Sequence, residues 1–186
     1  QLGGYKGTNA ISRKGFTGSF SVKGDVPDML KIAPKRILAG RFLNENDVKD
    51  KRKIAVIGSR VRDVLFERGE DVIGGNFEIN GVYYTVVGVF GNVDEGSADE
   101  SELEAIYIPI TTLQQAYNRG DKVDWYSVMS EQGVLCSELQ GRVKAVLAER
   151  HSIHPDDPKA FGSHNLEKSF LTIQNLFIGI RFLIWL

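Results

Sequence analysis

The residues of this sequence best suited to metal chemistry lie near its C-terminal end. His151 and His154 are three positions apart, Asp156 and Asp157 follow closely, and His164 comes later. Two imidazoles with neighbouring carboxylates form a donor set that transition metals accept. However, no H-E-x-x-H pattern is present, and His154 lies in a proline-bounded loop. His151 ends a predicted helix, where a cationic imidazole interacts favourably with the helix dipole. We therefore predict no metal site.

Patterns for nucleophilic or nucleotide chemistry are also missing from the sequence. Cys136, the one cysteine, starts an apolar-periodic segment, and every histidine is at least fifteen positions away. That arrangement favours a packing role over a Cys–His dyad. Gly58-Ser59-Arg60 lacks the second glycine of a nucleophile elbow, and no dinucleotide-binding or P-loop motif occurs. We predict a protein that is not an enzyme and holds no cofactor. A buried polar pocket at His151, His154 or Cys136 would revive the enzyme hypothesis.

A run of six carboxylates lies between residues 92 and 104. It contains no basic residue, and its acids are Asp94, Glu95, Asp99, Glu100, Glu102 and Glu104. The spacing does not match the calcium-binding loop of an EF-hand, which needs alternating ligands, a glycine and a final glutamate. The run predicts a mobile, solvated surface loop. Because functional surfaces often lie on loops, it is our candidate partner-contact site.

Composition narrows the class of protein. Lys and Arg number 23 and Asp and Glu number 24, which gives a net charge of −1 over 186 residues. With no basic excess to neutralise phosphates, nucleic acid is excluded as a partner. The content of hydrophobic residues, 42%, and of charged residues, 25%, is typical of a folded globular chain. One cysteine cannot form an internal disulfide.

The first half of the chain is predicted to form short strands and helices. Glycines among polar residues at 1–15 predict an irregular segment, and apolar periodicity predicts the elements that follow. These are a strand at 16–23, a helical turn at 28–32 capped by Asp28, a polar turn or helix start at 44–47, a strand at 53–57, and a helix at 60–68 capped by Ser59.

The second half contains the clearest local signal, Asn80-Gly81 between the β-rich runs 77–79 and 82–90. This dipeptide favours a type I′ hairpin because both turn residues must accept a positive φ. Gly88 predicts a bulge in the second strand. Further predictions are strands at 105–110, 125–129 and 160–165, a short helix through Tyr117 capped by Thr111 or Thr112, and a helix at 137–151.

The C-terminal segment, Phe170 to Leu186, is apolar on all sides. From Leu176 onward every residue is apolar or glycine except Arg181. A surface helix of a soluble domain keeps a polar face, so this segment predicts the first part of a transmembrane helix. A buried C-terminal core helix is the alternative, and Arg181 favours it because an arginine inside a bilayer is costly.

One long stretch, Gly40 to Phe90, carries a family resemblance. It contains a Gly-Arg-Phe start, an acidic turn, an I-A-V-I-G strand, a helix ending in Leu-Phe, a D-x-I-G-G run and the N-G hairpin ending in V-x-G-V. This order resembles the extracytoplasmic core domain of MacB-like ABC transporter permeases. The preceding 26–31 and the later 104–112 also resemble that family, so that residues 16–120 are covered well and 122–165 more loosely.

The resemblance implies an α+β fold in which a small β-rich subdomain is inserted in a porter-like βα subdomain. The corresponding parts are an irregular leading segment of the porter-like subdomain at 1–15, the β-rich inserted subdomain at 16–121, a partial βα porter-like subdomain at 122–168, and the start of a transmembrane helix at 169–186.

The resemblance also implies the function. We expect a non-catalytic extracytoplasmic domain that couples cytoplasmic ATP hydrolysis to export or extraction of a drug, peptide or lipoprotein by transmitting conformational change. Its location would be the bacterial inner membrane, with this domain on the periplasmic or extracellular side. Its partners would be a second permease subunit (identical or homologous), a separate or fused ATP-binding subunit, a periplasmic adaptor protein and the membrane. The alternative is a tethered extracellular module that binds a substrate or ligand directly.

Overall fold

The chain divides into two compact units, Gln1–Ser127 and Val128–Leu186, which are described separately. The structure is a computed structural model. The residues it describes are 7–93, 100–130, 134–154, 157, 161–165, 173–174, 176–178 and 180–181. Strands dominate the first unit and one long helix the second, as the predicted α+β class requires. The predicted subdomain boundaries remain a prediction.

Seven strands form a single mixed sheet in the first unit. They are β1 (Gly7–Arg13), β2 (Phe16–Asp25), β3 (Arg36–Gly40), β4 (Ile54–Gly58), β5 (Asn76–Ile79), β6 (Val82–Gly91) and β7 (Ala105–Pro109). Their order is β3-β6-β4-β7-β2-β1-β5, and β5 also pairs with β6. Because β5, the last strand in this order, pairs back with β6, the six strands β6-β4-β7-β2-β1-β5 form a closed hydrogen-bonded circuit. Strand β3 pairs with β6 and lies outside the circuit.

Strand β6 closes the circuit by sharing one edge between two partners. Its first half pairs antiparallel with β5 and its second half antiparallel with β3, while β4 runs parallel along the other edge. The register against β4 shifts between Val86 and Gly88, which confirms the bulge predicted at Gly88. A Cβ at Gly88 would overlap the Arg41 carbonyl oxygen, so only glycine lets the two segments approach this closely.

Two tight turns connect neighbouring strands, and only one was predicted. Asn80 and Gly81 have φ values of 48° and 84°, as a type I′ hairpin requires. Lys14 and Gly15 make the corresponding turn between β1 and β2, with φ values of 46° and 88°. The prediction of an irregular segment at 1–15 is therefore wrong for 7–13, which pairs along its whole length with β2. A lysine gives no signal for a positive φ, and so the hairpin was missed.

Hydrophobic cores lie on both sides of the central strands. The larger includes Phe77, Ile79 and Tyr84 from the hairpin, and the smaller is built around Phe90 and Tyr107. Their rings meet edge to face, with centroids 5.5 Å apart. All five residues of β7 are buried, which explains its uninterrupted apolar sequence.

Five short helices accompany the sheet: α1 (Met29–Ile32), α2 (Glu45–Lys49), α3 (Ser59–Leu65), α4 (Glu100–Leu103) and α5 (Ile110–Ala116). The helix start predicted at 44–47 is confirmed, because the Asn44 and Asp47 side chains form a reciprocal capping box. The Asp28 side chain caps no helix and instead pairs with Lys31 at 2.7 Å.

Three other predicted caps are wrong. Gly58 occupies the cap position of α3, so that Ser59 is already helical, and Pro109 occupies it in α5. Thr111 and Thr112 lie inside α5, where their hydroxyls donate to the carbonyls of Val48 and Arg52. In each case the helix begins earlier than the hydroxyl suggests, because the cap residue lies one to three positions before it.

The second unit contains helix α6 (Cys136–His151), close to the predicted 137–151.

Two predicted strands are wrong, because residues 125–129 and 161–165 have no regular structure. Residue 160 lies outside the described residues. The aromatic and apolar residues of 125–129 suggested a strand, but no strand of the described residues pairs with this segment. The described residues of 173–181 are helical, and most of 170–186 lies outside the described residues. Nowhere in the described parts is a helix both long and apolar enough to cross a bilayer.

Candidate partner-contact site

Helix α4 carries three of the carboxylates of the predicted acidic site on or beside it. Glu102 faces inward and bridges two lysines, with Lys23 Nζ at 2.6 Å and Lys35 Nζ at 2.7 Å. The hydroxyl of Tyr107 also donates to this carboxylate. The three donors come from β2, the segment before β3, and β7. Glu102 therefore fixes α4 to the sheet and is not the solvated loop residue that we predicted.

The electrostatics of this cluster favour a permanent charge on Glu102. Burial alone would raise the pKa of its carboxyl, but the hydrogen bonds from Lys23, Lys35 and Tyr107 outweigh burial and hold the pKa at about 2. Both lysines are mostly buried, with 19% and 13% of their side chains exposed. The charge of the Glu102 carboxylate thus offsets the cost of burying the two ammonium groups, and their charges offset the cost of burying the carboxylate.

Two further contacts hold α4 in place. A Cβ at Gly58 would overlap the carbonyl oxygen of Leu103, so the end of α4 rests directly on the end of β4. Arg60 reaches Glu100 at 3.3 Å, which joins α4 to α3. The predicted loop at 92–104 is therefore helical at 100–103, because these contacts with the sheet order it.

The outward carboxylates remain available for contact. The Glu100 side chain is 71% exposed, and Glu104 is also exposed. Asp94, Glu95 and Asp99 lie outside the described residues. The arrangement presents negative charge from a helix that is bonded to the sheet. It suits a contact surface and not proton transfer.

The residues considered for metal or nucleophilic chemistry are not brought together. His151 ends α6, and His154 and His164 are exposed. Across the described ranges, no group of three or more His, Cys, Asp or Glu side chains is arranged to hold a metal ion. Asp156 lies outside those ranges. Cys136 Sγ is 3.4 Å from Ser130 Oγ, and this local contact brings no histidine to the thiol.

Sequence reasoning missed the partners of Glu102. Lys23 and Lys35 lie 79 and 67 positions away from it along the chain, and no local pattern reports such a pairing. The only signal was that Lys23 sits in a predicted strand next to buried positions. A second missed cluster joins Arg13 to Glu70, and a third joins Arg41 to the fully buried Asp47 at 2.6 Å.

A groove of about 660 Å³ lies beside strand β3. Its apolar lining includes Leu38, Phe66, Ile73 and Val89, and charged residues of α3 and the segment that follows form its rim. Leu38 and Ile73 are exposed, at 44% and 37%. The groove lies within the first unit, its lining is part apolar and part charged, and it bears on the ligand-binding alternative.

Comparison with known proteins places these features in a family context. The sequence model of the MacB-like periplasmic core domain matches residues 3–146. The ABC transporter permease YvrN of Bacillus subtilis is 40% identical over 134 residues, covering 64% of this chain and 32% of the relative. The macrolide export ATP-binding/permease protein MacB of Rhodospirillum rubrum is 23% identical over 141 residues, covering 76% of this chain and 22% of the relative. The chain thus spans a third or less of these relatives.

Solved structures share the fold. The periplasmic region of MacB from Actinobacillus actinomycetemcomitans superposes with a TM-score of 0.76 at 17% identity, over 93% of this chain and 74% of that one. The extracellular domain of the transporter YknZ from Gram-positive bacteria gives 0.71 at 16% identity, over 83% and 76% of the two chains. The fold of this chain is therefore a known architecture.

Proposed function

This chain belongs to the MacB-like periplasmic core domain family, and from that premise we propose that it transmits conformational change within an ABC transporter permease. The family is a transporter domain and not a catalytic one. In our proposal, ATP hydrolysis in the cytoplasm drives movement of this domain outside the membrane, and that movement exports or extracts a drug, peptide or lipoprotein. The names of relatives support the export direction, since they include macrolide and pyoverdine export proteins.

The observation that best supports a transmitting role is the bridge formed by Glu102. It ties α4 to β2, β7 and the segment before β3, so a force on the acidic helix acts on the whole strand circuit. Closure of the circuit through β6 adds stiffness, because strands cannot separate at an open edge. A stiff domain moves as one body, and mechanical coupling requires this because a deformable domain would absorb the movement instead of transmitting it.

The location and partners follow from the same proposal. The domain lies on the periplasmic or extracellular side of the bacterial inner membrane, and Phe170–Leu186 begins a transmembrane helix. Its partners are a second permease subunit, an ATP-binding subunit and a periplasmic adaptor protein. Several relatives are named as combined ATP-binding/permease proteins, which supports the ATP-binding partner in either fused or separate form.

The coupling proposal is tested on the intact permease with its ATP-binding partner in nanodiscs. A spin label is attached at exposed residue 122 in a Cys136→Ser background, and the distance between the labels of two permease copies is measured by pulsed electron resonance. We expect the distance distribution to differ between the nucleotide-free and the vanadate-trapped states. An identical distribution in both states, with ATP hydrolysis intact, would contradict the proposal.

The contact role of the acidic segment has its own test. Replacing Asp94, Glu95, Asp99 and Glu104 by their amides should weaken binding of the adaptor protein about tenfold or more, whereas Glu100 and Glu102, which hold α4 in place, are left unchanged. The matched control neutralises four acids elsewhere, at positions 45, 63, 121 and 138. Equal binding by both variants and the parent chain would remove the segment from the contact surface.

A second candidate function, a tethered module that binds substrate, is favoured by the groove beside β3. A volume of about 660 Å³ falls in the size range of small-molecule sites. Titration of the chain with erythromycin, followed by amide chemical shifts, distinguishes the two functions. Saturable shifts confined to Leu38, Phe66 and Ile73 would favour direct binding, and their absence would favour transmission.

A further inference from the structure

Residues 49–53, here called the basic turn, run from the last residue of helix α2 to the start of strand β4. Four of its five residues are cationic, namely Lys49, Lys51, Arg52 and Lys53, and all of them are exposed. Arg52 pairs with Asp50 at 2.9 Å and with Asp47 at 3.5 Å. Among the described residues, no carboxylate forms an ion pair with any of the three lysines. Three exposed ammonium groups within five residues thus have no ion-pair partner among the described residues.

The backbone that carries these lysines is held at several points. The Arg52 carbonyl accepts from Thr112 Oγ1 at 2.9 Å, and the Lys53 carbonyl accepts from the Thr85 amide at 3.1 Å. The Arg52 amide donates to the Asp47 carbonyl at 3.0 Å, and Lys51 adopts a left-handed φ of 52°. Because the turn is already ordered, binding through it loses little backbone entropy.

We propose that the basic turn binds a carboxylate-rich polypeptide segment of a partner protein. Like-charged lysines that lack internal partners complement a run of Asp and Glu side chains, and such complementarity accelerates association and fixes its orientation. Single exposed ion pairs contribute little, so recognition depends on the three lysines acting together.

The surroundings of the turn favour a polypeptide over a lipid surface. None of the exposed large hydrophobic side chains belongs to residues 41–53, so nothing there inserts among acyl chains. Asp50 lies between the cations, whereas lipid-binding clusters combine several uninterrupted basic residues with an apolar face. A free peptide chain can place its carboxylates around this exposed acid, but a continuous anionic membrane surface cannot.

The position of the turn separates it from the acidic helix. The basic turn leads into the start of β4, and α4 rests on Gly58 at its end. Five strand residues, roughly 15 Å, lie between the two, so the lysines are not neutralised by α4. This inference concerns a surface that the proposed function does not use, and its failure would leave that function untouched.

The test measures binding of a synthetic peptide with the sequence of residues 92–104, which carries six carboxylates. Fluorescence anisotropy of the labelled peptide is recorded with the full chain at about 20 mM and about 300 mM NaCl. The uncharged counterpart replaces every Asp and Glu by its amide. The variant combines Lys49→Gln, Lys51→Gln and Lys53→Gln. The matched control, with the same change in net charge, combines Lys31→Gln, Lys122→Gln and Lys144→Gln.

We expect the acidic peptide to bind about tenfold or more tightly than the amide peptide at low salt, and the preference to vanish at high salt. The basic-turn variant should lose the preference, while the control keeps it within about twofold. Equal losses in variant and control would overturn the proposal, because net charge alone would then explain binding. So would a parent chain that does not distinguish the peptides, or one that binds phosphatidylglycerol vesicles through these lysines but not the peptide.

Discussion

Arg13 and Glu70 form a two-pronged ion pair across the first unit. Arg13 Nη2 lies 2.6 Å from Glu70 Oε1, and Nη1 lies 2.9 Å from Oε2. The guanidinium also lies over the Phe66 ring, 3.9 Å from its centroid, and donates to the carbonyls of Leu65 and Asn76. One side chain therefore joins β1 to the end of α3 and to the start of β5.

Replacing Arg13 should destabilise the first unit strongly. Arg13→Ala removes the ion pair, the ring contact and two carbonyl hydrogen bonds, so we expect the free energy of unfolding to fall by about 3 kcal/mol. Arg13→Lys keeps the charge but cannot form the two-pronged pair, and about half of that loss should remain. Urea titration followed by circular dichroism measures both. Lys14→Gln, at a side chain that is 70% exposed, should stay within about 0.5 kcal/mol of the parent chain.

Removing the charge of Glu102 should be costly because two buried lysines would lose their partner. We expect Glu102→Gln to lower the free energy of unfolding by roughly 2–4 kcal/mol at pH 7. The effect should shrink in acid. The folded pKa of about 2 lies below the model-peptide value of 4.5, so the contribution is complete above 4.5 and is lost as the pH falls toward 2. Glu104→Gln is the control, and a loss of similar size there would refute the assignment.

Asp25 should make the protein less stable as the pH rises through neutrality. Burial raises its pKa to about 7, because the amide of Val26 and the charge of Lys23 offset only part of the desolvation. The folded state keeps a proton that the unfolded state, with a pKa of 3.8, releases. This stabilising contribution is therefore complete below about pH 4 and is lost as the pH rises through 7.

The Asp25→Asn substitution tests whether Asp25 lowers the stability of the protein as the pH rises. Asparagine keeps the acceptor oxygen for the Val26 amide but cannot ionise, so at pH 8 the variant should be more stable than the parent chain by on the order of 2–3 kcal/mol. At pH 4 the two should nearly coincide. Thermal melts across this range provide the measurement. Asp28→Asn, at an exposed carboxyl whose pKa Lys31 lowers, should show no gain at pH 8.

The contact between Gly58 and Leu103 predicts a strict requirement for glycine. A Cβ added at Gly58 would overlap a backbone carbonyl, which cannot rotate away, so Gly58→Ala should cost roughly 2–4 kcal/mol. Denaturant unfolding of the variant measures this. Gly141→Ala is the counterpart: nothing lies near a Cβ there, and alanine inside α6 should raise helix content instead. Equal stability of Gly58→Ala and the parent chain would show that α4 does not rest on β4.

Local chemistry made the N-G hairpin, the helix after Asn44 and the bulge at Gly88 predictable. Each has a residue type that signals the backbone conformation locally: Asn-Gly for the hairpin, Asn44 for the cap and a glycine inside a strand for the bulge. The Lys14-Gly15 turn shows the limit of such signals, because its lysine adopts a positive φ only in response to strand pairing. At 125–129 the opposite occurred, since aromatic and apolar residues predicted a strand but no described strand pairs with them.

The sequence locates the acidic run of the candidate site, but not the different roles of its carboxylates. The acidic run marked residues 92–104, yet the inward turn of Glu102 depends on lysines and a tyrosine brought together by three different strands or connections. Glu100 and Glu104 have the same residue type and similar neighbours in sequence, and they remain exposed. Which carboxylate becomes structural is decided by tertiary packing alone.

The parallel pairing of β2 with β7 has a consequence for synthesis on the ribosome. Ser21 pairs with Ala105, so β2 emerges roughly 80 residues before the strand that covers its second edge. At about 5–20 residues per second, the β1–β2 hairpin waits on the order of 4–16 s with that edge open. The nascent chain therefore passes through a period in which it is vulnerable to strand exchange with its neighbours, and holdase chaperones have their best opportunity to act before β7 appears.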